Sequence, residues 1–244
     1  MKRIYFSTLV LMATTFLFSA CKKSDDSSPN NKYKCTTCIT KPEALSANDA
    51  ISKGIYKGVL IGSTGTIKFN VANDNSTITA TMVIDGTTVL LTSSVALISG
   101  QPYTAPFVGT LNGQTVTINF TVDVNGGNPT ISSANIPGHP NAIFTLVKET
   151  SNALIECFVG TYSSTLPETG TFNIVLSRPL GKFGGIARAD GSTKNSDVLG
   201  TIDANGFMKD DKGNKVATLS DDELSGTFQD SNGSTITVNG KRTL

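Results

Sequence analysis

The sequence predicts an all-β protein with two tandem antiparallel meander modules, each a small barrel or a sandwich, after a leader and a flexible tether. Three observations predict this fold. Polar and apolar residues alternate with a period of two, most clearly at 66–71, 77–82 and 115–122. Asn-Gly and Asp-Gly pairs separate such segments and suit hairpin turns, because these residues adopt positive φ. The third observation is an internal repeat, described below.

The chain begins with the layout of a secretory signal peptide. A positive pair at residues 2–3 precedes an apolar run at 4–18, and residues 19–20 are small. The run is about 15 residues long, whereas a membrane-spanning helix needs about 20. We therefore predict that residues 1–20 are a cleaved leader.

The end of the leader resembles the lipobox of bacterial lipoproteins. Phe18-Ser19-Ala20-Cys21 stands where that family has Leu, then Ala or Ser, then Gly or Ala, then Cys, and Phe18 takes the large apolar position. In that family the Cys sulfur receives a diacylglycerol, the peptide bond before it is cut, and the new amine is usually acylated. The resemblance implies that Cys21 is the first mature residue and anchors the chain, since two or more acyl chains hold a protein stably on a membrane.

Charged residues follow at once, namely Lys22, Lys23, Asp25 and Asp26. They resemble the surface-export signal of lipoproteins in Bacteroidetes-type outer membranes. The resemblance implies an outer-membrane protein that faces outward. The inner face of the same membrane is the alternative, since a short charged run also fits a merely solvated tether.

The near-neutral charge of the sequence limits the kinds of partner that we expect. The chain has 20 basic and 19 acidic residues, and loss of the leader leaves a net charge of about −1. Nucleic-acid binding selects for basic patches, so a nucleic-acid partner is not expected. Attachment to the membrane is expected through covalent lipid only.

Residues 21–53 form the region between leader and modules. Residues 22–34 are almost wholly polar and predict a flexible tether. Residues 40–53 carry the one segment with helical features, a Pro-Glu start and a Gly stop, and we expect a turn or two.

Cys35 and Cys38 lie between these two stretches. An exported chain permits disulfides, so we expect a structural bond between Cys35 and Cys38, or between one of them and Cys157. Free thiols are the next alternative. Redox catalysis and metal binding are disfavoured, because a βαβ context and a second ligand pair are absent from the sequence.

Two β-modules follow, at 54–149 and 155–244. Gly65 and Gly86 are 21 residues apart, as are Gly170 and Gly191, and the apolar positions between them keep the same parity. Each module has room for seven or eight strands.

The segment at 200–206, Gly-Thr-Ile-Asp-Ala-Asn-Gly, resembles modules common in uncharacterised bacterial lipoproteins, a likeness that implies no activity. The turn chemistry is also loosely similar to that of lipocalin-like and avidin-like barrels.

Residues suited to catalysis are sparse. His139, the one histidine, lies between Gly and Pro and is expected in an exposed loop. Glu168 and Glu223 fall in turn sequences, so a glycosidase pair is not expected. The Asp-x-Asn-Gly stretches at 203–206 and 230–233 lack the later Glu of a calcium loop and are interpreted as turns.

We therefore predict a non-enzyme without cofactor or metal, with a binding or structural role at the cell surface. Its partner would be an envelope protein or a glycan, and Tyr103, expected to be exposed between two prolines, and Tyr162 are the candidate sugar platforms. The alternative is a carrier of a small apolar ligand in the second module, where Gly185, Ala187 and Ala189 face inward and leave room.

Overall fold

The alternating segments form strands. The computed structural model describes residues 32–244, and its regular structure is entirely β-strand apart from one 3₁₀ turn, Ser46–Asn48. The predicted leader (1–20), the lipidated Cys21 and the charged run at 22–26 lie outside the described residues. Between residues 32 and 244, no helix has the length and apolarity needed to cross a membrane. The all-β prediction with two tandem modules is confirmed.

The first module is a nearly closed barrel. Its eight strands are β1 (Gly54–Ile61), β2 (Gly65–Val71), β3 (Thr79–Ile84), β4 (Thr87–Thr92), β5 (Tyr103–Leu111), β6 (Gln114–Val122), β7 (Thr130–Asn135) and β8 (Ile143–Lys148). They run across the sheet in the order β7-β6-β5-β4-β3-β2-β1-β8. The last strand therefore pairs with the first, and the β7 and β8 edges are the ones left without a ladder partner.

The second module is a closed barrel. Its strands are β9 (Glu156–Ser164), β10 (Thr169–Ser177), β11 (Lys182–Ala189), β12 (Ser196–Ile202), β13 (Phe207–Asp210), β14 (Lys215–Ser220), β15 (Glu223–Gln229) and β16 (Thr235–Arg242). Each strand pairs with the next, and β16 pairs with β9. Closure removes the free sheet edges that a sandwich would leave.

The two ends of this barrel differ. The hairpins β9–β10, β11–β12, β13–β14 and β15–β16 lie at one end, which we call the mouth. The hairpins β10–β11, β12–β13 and β14–β15 lie at the other, which we call the floor.

The internal repeat corresponds to equivalent hairpins. Gly65 pairs with Ile84 in β2–β3, and Gly170 pairs with Ala189 in β10–β11, so both pairs have the same separation along the chain. The Asp85-Gly86 turn has positive φ at both residues, 45° and 78°, as the hairpin prediction requires.

The first module has a filled interior. Phe69 stacks on Phe120 with ring centroids 4.5 Å apart and meets Phe107 edge-on at 4.9 Å. Tyr56 packs edge-on against Phe120 at 5.2 Å. Aromatic rings of this size occupy the space between the facing strands, so this barrel has a solid core.

Strand β1 is buried on both faces because the modules pack together. Tyr56 and Leu60 point into the first core. On the opposite face, Val59 packs with Cys157 and Val175 of the second module. The two barrels thus share an apolar contact along β1, β9 and β10.

The segment before β1 lies against the floor of the second barrel. The Tyr33 hydroxyl donates to the Arg242 carbonyl at 2.8 Å, and the Cys35 amide donates to Asp222 at 2.9 Å. Arg242 in turn donates to the Ile39 carbonyl at 2.6 Å. Residues 32–34, assigned to the tether from sequence, therefore make specific contacts through Tyr33.

Candidate ligand cavity of the second barrel

The second barrel contains a cavity of about 790 Å³ that opens at the mouth. Residues of all eight strands line it. Eight-stranded barrels have an interior that side chains either fill or leave open to one small ligand. This volume lies within the usual range for small-molecule sites.

Two phenylalanines line the cavity, Phe172 on β10 and Phe183 on β11. Both are buried, and glycines make room for their rings. A Cβ added at Gly160 would stand 2.4 Å from Phe172 Cζ, and one added at Gly200 would stand 2.6 Å from Phe183 Cζ. The rings therefore pack directly against the backbone at these glycines.

The walls above these rings are apolar but incompletely covered. Half-buried side chains line this part of the cavity: Tyr162, Ala187, Val198, Val216, Phe228, Ile236 and Val238. Toward the floor the barrel is packed, since Phe158, Leu176 and Leu219 are buried in its core. Apolar surface is thus exposed on the inside of the barrel only toward the mouth, where burying it against a ligand is favourable.

The rim of the cavity is acidic. Five of its lining residues are carboxylates and none is basic: Glu168, Asp197, Asp210, Asp211 and Asp230. Asp210 and Asp230 each cap the turn that follows, since one carboxylate oxygen accepts two backbone amides at 2.7–3.0 Å. Asp197 and Asp211 have no hydrogen bond or ion pair with any side chain of residues 32–244.

Tyr162 carries a polar group into the upper wall. Its hydroxyl donates to Glu168 at 2.9 Å. Burial and, next, the neighbouring Glu168 carboxylate raise the pKa of Tyr162 to about 12. The phenol therefore stays protonated at neutral pH, and its ring presents an apolar face to the cavity.

The structure brings Ser63 and Asp85 to His139, at the β1–β2 end of the first module. Ser63 Oγ makes a short hydrogen bond to His139 Nδ1, and Asp85 Oδ2 lies 3.7 Å from the same nitrogen. A catalytic triad needs the serine on one ring nitrogen and the carboxylate on the other. With both on Nδ1, this cluster lacks the arrangement for relaying a proton from serine.

The other residues considered for catalysis or metal binding from the sequence do not come together in one site. Glu168 lies at the mouth of the second barrel and Glu223 begins β15 at its floor, so the two carboxylates do not share a cleft. Asp203 caps its own turn by accepting from the Asn205 and Phe207 amides. Across residues 32–244 no three His, Cys, Asp or Glu side chains are grouped so that they would hold a metal ion.

The expectation that Tyr103 is exposed is wrong. Tyr103 is only 2% exposed and packs in the first core, where its hydroxyl donates to the Val95 carbonyl at 3.2 Å. It cannot serve as a sugar platform from this position. Tyr162 is half-buried, with its ring on the cavity wall rather than on the outer surface.

The cysteines divide into a pair and a single buried thiol. Cys35 and Cys38 form a disulfide. Cys157 is free, fully buried at the contact between the modules, and its sulfur lies 3.6 Å from the Gly58 carbonyl oxygen. Burial raises the pKa of Cys157 to about 12, which makes it an inert packing residue.

A second cavity, of about 690 Å³, lies at the floor beneath the N-terminal segment. Its charged groups already pair with one another. Glu156 contacts Arg178 at 2.8 Å and Arg242 at 3.0 Å, and Arg242 also contacts Asp222 at 3.5 Å. This site therefore offers a ligand few uncompensated charges, unlike the mouth cavity.

The chain matches no known family model, no curated protein and no solved structure. The candidate site therefore stands on its own geometry.

Sequence reasoning pointed to the right module for the cavity but misjudged how the space arises. Ala187 lines the cavity as expected. Gly185 does not create space, because a Cβ there would stand 2.1 Å from the Asn173 carbonyl oxygen of the adjacent strand. Inward glycines at 160, 200 and 240 were the signal that was missed, since they set the depth at which the phenylalanine rings lie.

Proposed function

We propose that this protein is a lipid-anchored, non-catalytic binding protein of the bacterial outer membrane, and that its second barrel carries a small apolar ligand. The observation that carries the proposal is the cavity of about 790 Å³, which is lined by two phenylalanines and by half-buried apolar side chains. The first barrel serves as a support, since its interior is filled by aromatic side chains.

The location rests on the lipobox-like residues ending at Cys21 and on the charged run at 22–26. The described chain begins at the floor of the second barrel, opposite the mouth. Residues 21–31 reach at most about 40 Å when fully extended. A lipid on Cys21 would thus hold the barrels within about this distance of the bilayer.

Binding of the neutral fluorophore N-phenyl-1-naphthylamine tests the carrier function. Its fluorescence rises on entering an apolar site, and we expect a saturable rise with the purified full chain. Ala187→Phe should abolish the rise, because the new ring would occupy the cavity beside Phe172, the cross-strand partner of Ala187. Ser225→Phe places the same ring at an exposed outward position of β15 and should leave binding intact.

The two variants must first show the same unfolding midpoint as the parent chain within experimental error. Equal fluorescence in the Ala187→Phe and Ser225→Phe chains would contradict ligand binding in the barrel. So would the absence of any saturable signal in the parent.

A further inference from the structure

The cavity described above has two chemically different parts, and their order along the barrel axis narrows the class of ligand. The lower part is apolar, and Phe172 and Phe183 are among its lining side chains. The upper part is ringed by carboxylates with no basic side chain among the lining residues. A ligand complementary to both is an elongated molecule with an apolar body and a positive end.

One of the rim carboxylates has no role in the fold. Asp210 and Asp230 cap backbone turns, and Glu168 accepts the Tyr162 hydroxyl. Asp211 has no such partner within the described residues. Asp197 lies on the outward face of β12, because it pairs with Ile186 whereas its neighbour Val198 packs inward. Like charges held around one opening repel each other, so a cation between them would lower the electrostatic energy of the site.

The basic side chains near the mouth point away from the cavity or lie outside its lining. Arg188, on the outward face of β11, donates to Asn195 at 2.7 Å and to the Asn141 carbonyl of the first module at 3.0 Å. Lys215, which begins β14, places its ammonium over the Phe207 ring on the outside of the barrel, 3.8 Å from the centroid. Lys194 and Lys212 belong to mouth hairpins but do not line the cavity. The field at the opening is therefore negative, and a narrow apolar cavity focuses such a field.

The rim also suits an organic cation better than a metal ion. No three of its carboxylates are close enough together to hold a metal. An ammonium or quaternary ammonium group is larger, needs no fixed ligand geometry, and binds to aromatic faces. Tyr162 and Phe228 supply such faces on the upper wall, next to Glu168 and Asp230.

We infer that the second barrel binds a cationic amphiphile. Its apolar chain would lie against Phe172 and Phe183, and its amine or quaternary ammonium group would lie among the rim carboxylates. This inference rests on the proposed carrier function and adds the charge of the ligand to it.

Three probes of equal chain length test the inference by isothermal titration calorimetry on the full chain at low salt. They are octyltrimethylammonium, 1-octanol and octyl sulfate. We expect the cation to bind at least about tenfold more tightly than the anion, with the neutral alcohol between them. The preference should shrink as salt screens the rim charges.

A charge-neutralised rim provides the decisive variant. Glu168→Gln and Asp211→Asn together should weaken octyltrimethylammonium binding about tenfold and leave 1-octanol unchanged. The matched control changes two acids at the floor of the same barrel, Asp221→Asn and Glu223→Gln. It alters the net charge equally and should leave all three affinities unchanged.

The possible outcomes distinguish the inferred charge selectivity from the proposed carrier function. If 1-octanol and the anion bind as tightly as the cation, or if the rim and floor variants behave alike, the inferred charge selectivity is wrong while the carrier function stands. If none of the three probes binds, both the inference and the carrier function fail.

Discussion

Lys57 and Glu149 form an ion pair that is completely buried where the two modules meet. Lys57 Nζ lies 2.6 Å from Glu149 Oε2, and both side chains are 0% exposed. The same carboxylate accepts the Glu43 amide at 2.6 Å and the Ile155 amide at 3.1 Å. One glutamate thus joins the N-terminal segment, the first module and the start of the second.

Replacement of Lys57 by Met should destabilise the protein by about 3–5 kcal/mol, because it leaves the Glu149 charge buried without its partner. Lys68→Met is the control. Lys68 is 30% exposed and pairs with Glu43 at 2.9 Å, and partly exposed pairs contribute at most about 1 kcal/mol. Urea unfolding at neutral pH measures both. Equal losses for the two variants would contradict the assigned role of Glu149.

Lys148 should make stability depend on pH in alkaline solution. Burial lowers the pKa of Lys148 from 10.5 to about 8, while Asp49 opposes the shift. Between pH 8 and 10.5 the unfolded chain therefore binds more protons than the folded chain, so stability rises with pH across this window. The difference in unfolding midpoint between the parent and Lys148→Met should move in favour of the parent from pH 8 to pH 10. A flat difference would show that Lys148 titrates normally.

At the scale of the element, the shape of the cavity depends on inward glycines in β9, β12 and β16. The Phe172 ring lies over Gly160, and a Cβ at Gly160 would also stand 2.6 Å from the Asn239 carbonyl oxygen of β16. The obstruction is therefore partly backbone, which cannot turn aside as a side chain would.

Gly160→Ala should destabilise the protein by about 1–3 kcal/mol through overpacking. Gly184→Ala is the matched control on β11, where the nearest atom to a Cβ is a Leu199 methyl carbon at 3.2 Å. Leu199 is exposed and free to move, so this change should stay within about 0.5 kcal/mol. Thermal unfolding measures both. If the Gly160→Ala chain were as stable as the control, the Phe172 ring would have to move aside without cost.

Strands and turns were predictable from sequence because period-two alternation and Asn-Gly or Asp-Gly pairs are local signals. Tyr103 shows where a local cue misled. Its flanking prolines suggested exposure, whereas its parity with Ala105 and Phe107 places it on the inward face of β5. Barrel closure was not predictable, because it depends on β9 pairing with β16 from the far end of the module.

At the scale of the whole molecule, a filled barrel and an open barrel are joined along β1, and the chain enters on the side opposite the cavity mouth. The described N-terminal segment contacts the floor residues Asp222 and Arg242, so this segment leaves the mouth open.

The number of titratable thiols tests the anchor. Cys35 and Cys38 are joined, and Cys157 is buried with its pKa raised to about 12 by burial. Protein purified from the membrane fraction should therefore show no thiol reactive with Ellman's reagent while folded, because Cys157 is inaccessible and the proposed lipid blocks Cys21.

Unfolding the same sample in concentrated guanidinium chloride without reductant should expose one thiol, that of Cys157. Cys157→Ser should then show none, which excludes slow reduction of the disulfide as the source. A thiol that reacts in the folded parent, or a second thiol after unfolding, would mean that Cys21 carries no lipid. The surface location would then lose its basis, while the cavity and its ligand would remain to be judged by the binding experiments alone.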